Sequence, residues 1–155
     1  MSPTLRIAWA EGSDPSLGLP TYASAGAAGA DLRANLPPDL RREGVTIGLM
    51  QRGLIPTGLC MEIPAGFEVQ IRARSGLALR DGLVVANAPG TIDSDYRGPV
   101  GVILMNLGAA PYVVTHGARI AQMVVAPVVQ ARFAEGAPLS DSVRGAGGFG
   151  STGRN

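Results

Sequence analysis

Arg74, Ser75 and Gly76 follow one another where an alternating segment ends and a short turn-forming one begins. An arginine fork, a hydroxyl and a residue without a side chain together make a cradle for a phosphate, because glycine lets backbone N–H groups approach an anion closely. The same tripeptide also suits a capped strand-to-helix turn with a surface arginine. A second group, Gly90-Thr91-Ile92-Asp93-Ser94-Asp95-Tyr96-Arg97-Gly98, has glycines at both ends and a polar centre. Such a bend presents two carboxylates and one aromatic ring. A carboxylate there can take a proton from water attacking a phosphorus centre, and a tyrosine ring can pack on a sugar face. An acidic turn with a packing tyrosine is the plainer alternative. A third group closes the chain: Arg144 and Phe149 stand among five glycines from Gly145 to Gly153, with Ser151 and Thr152. A lone aromatic in that setting could close over a nucleotide, Phe149 on the base and the polar groups on phosphates; a low-complexity end is the common alternative.

These groups need elements to hold them. Phe67, Val69, Ile71 and Ala73 alternate with Glu68, Gln70, Arg72 and Arg74, which predicts a strand over 67–74 with one buried face. RSGLALRD, residues 74–81, predicts one or two helical turns, with Ser75 and Gly76 as capping residues. Apolar runs at Leu5–Ala10, Val45–Leu49, Leu59–Ile63 and Val100–Met105 are short and bounded by Gly or Pro, the pattern of a β-sandwich or barrel. The bend over 90–98 is then expected as a hairpin between strands at Leu83–Ala86 and Val100–Met105. Residues 120–129, IAQMVVAPVV, read as a buried or inter-subunit strand in which Gln122 is the polar exception. After Pro138 no apolar periodicity survives, so residues 1–137 are expected to form the core and 138–155 a flexible arm.

Composition narrows the chemistry. The chain has 155 residues, 46% of them hydrophobic, enough for one domain with an ordinary core. Twenty-two glycines and 12 prolines predict many turns and short strands. A net charge of +1 leaves no excess to hold a polyanion or an anionic membrane surface. All 13 basic residues are arginine, which excludes a lysine phosphate loop and any Schiff-base chemistry. With Cys60 the sole cysteine and His116 the sole histidine, neither an internal disulfide nor a Cys/His zinc site is available. Cys60 reads as a small core residue, and His116 as a turn residue without an acid or serine placed for a triad. No apolar run near the start is long enough for a leader or a span, so a cytoplasmic location is expected.

Taken in order, five short motifs resemble those of the trimeric dUTP pyrophosphatases, the dUTPases. They are Ala28-Gly29-Ala30-Asp31-Leu32, Arg74-Ser75-Gly76-Leu77-Ala78, the bend from Gly90 to Gly98, Gly117-Ala118-Arg119-Ile120-Ala121-Gln122, and Arg144 to Gly153. The resemblance implies an all-β fold, a distorted jelly roll or β-clip barrel with one short helix, assembled as a homotrimer whose sites draw motifs from three chains. It implies hydrolysis of dUTP to dUMP and pyrophosphate, which limits uracil in DNA and supplies dUMP for thymidylate synthesis.

By the same resemblance, Asp93 is the general base for water attacking the α-phosphorus. Tyr96 stacks on deoxyribose and leaves no room for a 2′-hydroxyl. Asn87 reads uracil, with backbone groups of Thr91, Ile92 and Gly101. Arg74, Ser75, Gly76 and Gln122 contact phosphates, and Arg144, Phe149, Gly150, Ser151 and Thr152 form the closing arm. Asp31 stands near the water shell of a Mg²⁺ ion held mainly by the triphosphate, in keeping with the few acids of the sequence. Ala73 departs from the family, where relatives often carry proline, and a slightly looser turn is expected. The related dCTP deaminases use a glutamate on the strand after the hairpin; Ile103 stands where it is sought, and Val100–Met105 hold no acid. A non-catalytic, regulatory nucleotide-binding trimer of the same fold is the other alternative, against which Asp93, Tyr96 and Phe149 argue.

Overall fold

The computed structural model describes residues 2–136 and 138–148. Eleven strands and one helix follow in chain order: β1 (Arg6–Trp9), β2 (Thr21–Tyr22), β3 (Ala30–Arg33), β4 (Val45–Ile47), β5 (Arg52–Glu62), β6 (Phe67–Arg72), α1 (Ser75–Asp81), β7 (Leu83–Val85), β8 (Gly90–Ile92), β9 (Pro99–Asn106), β10 (Tyr112–Val114) and β11 (Arg119–Pro127). They form a four-stranded sheet in the order β1-β5-β9-β7, a five-stranded sheet in the order β2-β3-β11-β6-β8, and the pair β10-β4. Every pairing is antiparallel. The all-β, jelly-roll-like arrangement agrees with expectation, but the sheets stay open and no closed barrel forms among the described residues.

Alternation sets the faces. In β6, Val69 and Ile71 are buried while Arg72 is exposed, as a strand with one core-facing side requires. The core gathers Leu32, Ile55, Val69 and Leu104 from both large sheets, Val114 from β10 and Leu36 from the loop after β3. Its buried polar side chains are satisfied: Asn106 Nδ2 donates to the Ile47 and Ala110 carbonyls at 2.9 Å each, and its Oδ1 accepts from Gly108 N at 2.8 Å. An unpaired amide there would be costly.

β6 stops at Arg72, two residues short of the expected strand, because Arg74 turns the chain into α1. Arg74 itself is the N-cap residue, in extended conformation and without a side-chain capping bond; Ser75 and Gly76 already lie inside the helix. At the other end Gly82 adopts φ 68° and returns its N–H to Leu77 O, a left-handed cap that favours glycine. Residues 90–98 are also not a simple hairpin. β7 and β9 pair with each other, Leu83 opposite Asn106, but β8 leaves for the other sheet and pairs with β6, Ile92 opposite Val69. Burial explains the departure: Gly90 and Ile92 are buried on the β6 edge, whereas a simple hairpin arm would leave Ile92 unpacked.

His116 lies in the turn between β10 and β11, as expected, but it has an acidic partner 102 residues away. Leu36 N donates to its Nδ1 at 3.0 Å, which places the ring proton on Nε2, 3.2 Å from Asp14 Oδ2. Hydrogen bonds from Ser16, with His116 next, lower the Asp14 carboxyl from its ordinary 3.8 to about 2. A depressed acid stabilises the fold above its unfolded value, and that contribution is lost as pH falls through the folded one. Asp14→Asn is therefore expected to lower Tm at neutral pH, with the gap to the parent closing between pH 3.8 and about 2. Melting curves across that interval check it; a gap independent of pH would remove the carboxylate from the explanation.

Candidate active site

Two groups of side chains collect the predicted residues. The first forms on the five-stranded sheet, where β11 lies between β3 and β6. Gln122 stands opposite Asp31 on one side and Arg72 on the other. Its half-buried side chain donates from Nε2 to Ala73 O at 3.0 Å and so pins the backbone just before Arg74. That contact accounts for a polar residue in an apolar strand. Arg74 Nε meets Asp31 Oδ1 at 3.1 Å, Arg119 Nη1 meets Asp31 Oδ2 at 3.1 Å, and Arg74 Nη1 donates to Arg119 O at 3.2 Å. Asp31 is thus a bridge between two guanidinium groups. Next to it, the amides of Ser75 and Gly76 precede the first helical hydrogen bond, from Ala78 N to Arg74 O at 3.0 Å, and so have no partner within the helix. Motifs from residues 28–32, 74–78 and 117–122 therefore meet at one place.

The second group lines a cavity of about 310 Å³ between the end of β8 and the start of β9. Asn87, Thr91, Ile92, Asp93, Tyr96 and Gly101 all face it, joined by Leu54 and Ile103. Of the two acids in the bend only Asp93 lines this cavity; Asp95 lines a separate depression with Arg6, Glu62 and Arg97. The bend is held by Tyr96 N to Asp93 O at 3.2 Å and by Arg97 Nη1, which donates to Ser94 O at 2.6 Å and Tyr96 O at 2.9 Å. Tyr96 donates its hydroxyl to Pro99 O at 3.1 Å. Its ring needs Gly98: a Cβ there would fall 2.6 Å from Tyr96 Cζ, closer than packing tolerates. The result is a ring held beside a carboxylate, an amide side chain and residues 91, 92 and 101, with apolar Leu54 and Ile103 completing the wall.

Asp31 and Arg119 line a depression with Trp9, Leu17 and Asn35, and no residue of the first group lines the cavity of the second. Of the arm, Arg144 is exposed and bonds only locally, Nε to Gly147 O at 2.8 Å, and among the described residues it meets neither group. Phe149, Gly150, Ser151 and Thr152 lie outside the described residues. Arg119, Leu54 and Ile103 were not among the predicted site residues. Arg119 escapes a period-two count because β11 carries an irregularity between Arg119 and Ala121, and an exposed apolar Leu54 has no signal of its own.

A dUTPase family model matches residues 16–153. The chain is 61% identical over 150 residues to the deoxyuridine 5′-triphosphate nucleotidohydrolase of Roseobacter denitrificans, covering 97% of this chain and 96% of that one. The enzyme of the same name from Dinoroseobacter shibae is 59% identical over 154 residues, covering 99% and 97%. Among solved structures, the dUTPase of Staphylococcus bacteriophage 80alpha with dUPNHPP superposes with a TM-score of 0.81 at 23% identity, covering 97% of this chain and 99% of that one. A mutant dUTPase from phage phi11 of S. aureus, described for its coordination of a structural Mg(II) ion, gives 0.73 at 19% identity, over 89% and 99%. These two share the fold. With the family model spanning most of its length and two relatives near 60% identity over nearly all of it, the chain belongs to the dUTPase family.

Proposed function

We propose that this chain hydrolyses dUTP to dUMP and pyrophosphate, limiting uracil in DNA and supplying dUMP for thymidylate synthesis. One observation carries the reading: a single cavity is lined by the amide residue Asn87, by Thr91, Ile92 and Gly101, by the Tyr96 ring and by the Asp93 carboxylate. Asn87 and the backbone of Thr91, Ile92 and Gly101 read the uracil edge. Cytosine, with donor and acceptor exchanged, leaves buried polar groups unpaired and is rejected. Tyr96 packs on the deoxyribose and occupies the space of a 2′-hydroxyl. Asp93 takes a proton from a water molecule as its oxygen bonds to the α-phosphorus; the bond from that phosphorus to the bridging oxygen breaks, and pyrophosphate leaves. Deamination is disfavoured because apolar Ile103 lines the wall and, among the described residues, Asp93 is the only acid there.

Arg74, Ser75, Gly76 and Gln122 hold the phosphates, and Arg144, Phe149, Gly150, Ser151 and Thr152 close over the nucleotide. Because no phosphate-side residue lines the cavity of Asp93 and Tyr96 in one chain, a complete site forms between copies, in a homotrimer. The exposed Val129, Phe133, Leu139 and Val143 support assembly, since a lone chain would leave them in water. Residues 1–137 act as the core and 138–155 as the arm. No helix among the described residues is long and apolar enough to cross a membrane, and a cytoplasmic location suits a nucleotide substrate.

Among the described residues no three of His, Cys, Asp and Glu gather as a metal cage, and both Asp31 oxygens already face arginines. A Mg²⁺ ion would be held mainly by the triphosphate oxygens, with Asp31 near its water shell. The ion, when bound, neutralises phosphate charge.

Pyrophosphate release from dUTP, dCTP, UTP and dTTP, measured in parallel with Mg²⁺, tests the reading. Release from dUTP alone is expected. Equal release from UTP would remove the sugar-excluding role of Tyr96, and release from none would leave a nucleotide-binding trimer without catalysis.

A further inference from the structure

We infer that Arg119 is a positioning residue of the phosphate site, acting through Asp31 to hold the Arg74 guanidinium in place. The inference rests on the proposed function, which it extends to a residue with no role in that scheme. The backbone supplies the first argument. In a regular strand, residues 119 and 122 would point to opposite faces. β11 departs from regularity here: Arg119 pairs with Arg33, but Ala121 pairs with Leu32 and Gln122 with Asp31, so Ile120 is an extra residue. Two successive residues, Ile120 and Ala121, are accordingly buried. A bulge of this kind re-aims the side chain before it, and it brings Arg119 to the same carboxylate that stands opposite Gln122.

Charge supplies the second argument. Arg74 carries a fork with three nitrogen atoms; Nε is held by Asp31 Oδ1 and Nη1 by Arg119 O. Nη2 makes no hydrogen bond among the described residues, and it is the group left to meet a phosphate oxygen. Asp31 can hold Arg74 only while its own orientation is fixed, and Arg119 Nη1 on Oδ2 fixes it. Arg119 also adds charge: Arg74 and Asp31 alone are neutral as a pair, and the second guanidinium leaves the group net positive toward an anionic substrate. Arg33 cannot substitute, since its Nη1 is engaged with Gly117 O at 2.8 Å. Arg119 thus serves the fork twice, by its side chain on Asp31 and by its carbonyl on Nη1.

The test compares the parent with Arg119→Gln, Arg119→Lys, Asp31→Asn and the double variant Asp31→Asn/Arg119→Gln. Readouts are kcat and KM for dUTP, the inhibition constant of deoxyuridine, which has no phosphates, and Tm. R119Q is expected to lower kcat/KM for dUTP roughly tenfold, as misplacement of a binding group does, while deoxyuridine inhibition stays within about twofold. R119K, whose ammonium can still meet Oδ2, is expected to recover most of the loss. The double variant should be no worse than D31N, because both changes break one chain of contacts. Unchanged dUTP kinetics in R119Q, an equal loss for deoxyuridine, or additive losses in the double variant would each overturn the inference. If R119Q fails to fold, D31N must show the same selective loss of dUTP over deoxyuridine. If the parent itself does not hydrolyse dUTP, the proposed function fails, and binding of inorganic tripolyphosphate by calorimetry decides the inference: weaker binding by R119Q supports it, equal binding overturns it.

Discussion

Asp93→Asn is expected to lower kcat for dUTP by about 10²-fold or more while nucleotide binding stays near that of the parent. The substitution changes little besides the chemistry of one group. Asparagine has nearly the volume and shape of aspartate, and the bend is held by backbone and Arg97 contacts in which the Asp93 side chain takes no part. Tyr96 keeps its bond to Pro99 O, so the cavity keeps its outline. What disappears is the only carboxylate on the cavity wall able to accept a proton from water. Asp95→Asn provides the control, since that acid, two residues on, lines another depression and its loss is expected to leave kcat within about twofold. Steady-state kinetics with dUTP and equilibrium binding of a non-hydrolysable analogue separate the two quantities. Near-normal turnover in the Asp93→Asn variant would take the proton-accepting role away from Asp93, and an equal loss in both variants would point to the charge of the bend.

Local pattern made much of this architecture legible before any contact was known. The alternation over 67–74 contains strand β6, which ends at Arg72, RSGLALRD contains α1 from Ser75 on, and the apolar runs near 5–10, 100–105 and 120–129 overlap β1, β9 and β11. In each case one face or one run meets the core, and the period of burial is written in neighbouring residues. The first half of β5 was hidden because Gly53, Pro56 and Gly58 interrupt it, the usual marks of a turn. There Pro56 is tolerated next to a register shift between Pro56 and Cys60, where the ladder to β9 is already broken. β2, β3 and β10 span only two to four residues, too few for a period to show.

The candidate site divides along the same line. Asn87 to Gly101 are near neighbours in sequence, and their gathering in one cavity follows from a single bend. Asp31, Arg74 and Arg119 are far apart, and their meeting depends on β3, β11 and the start of α1 lying side by side, with a bulge setting the register. Such non-local pairing leaves no mark in any window of sequence. His116 is the same case, with its partner Asp14 in a loop 102 residues away. The resemblance to a family grouped the phosphate-side residues where periodicity could not; it carried Arg119 within its fourth motif but gave it no role, because that role depends on geometry.

Ending the chain at Val143 is expected to abolish most dUTP turnover, by about 10²-fold or more in kcat/KM, with Tm unchanged. The stability half of this prediction follows from burial. From Leu139 to Gly148 every residue is exposed except Gly147, and the hydrogen bonds of Arg144, Gly145 and Gly147 are all made within four residues of chain. None of them belongs to the core cluster, so their removal takes no apolar area from it. The kinetic half follows from what the cavity lacks. The wall holds an amide side chain, a tyrosine ring and a carboxylate, but among the described residues no arginine lines it, and a reaction at phosphorus beside a carboxylate requires positive charge and exclusion of water. Arg144, Phe149, Ser151 and Thr152 carry a guanidinium, an aromatic ring and two hydroxyls, the groups proposed above to close over the nucleotide. Kinetics and melting of the shortened chain, measured together, decide the matter: full activity would make the arm dispensable, and a fall in Tm of several degrees would make it part of the fold.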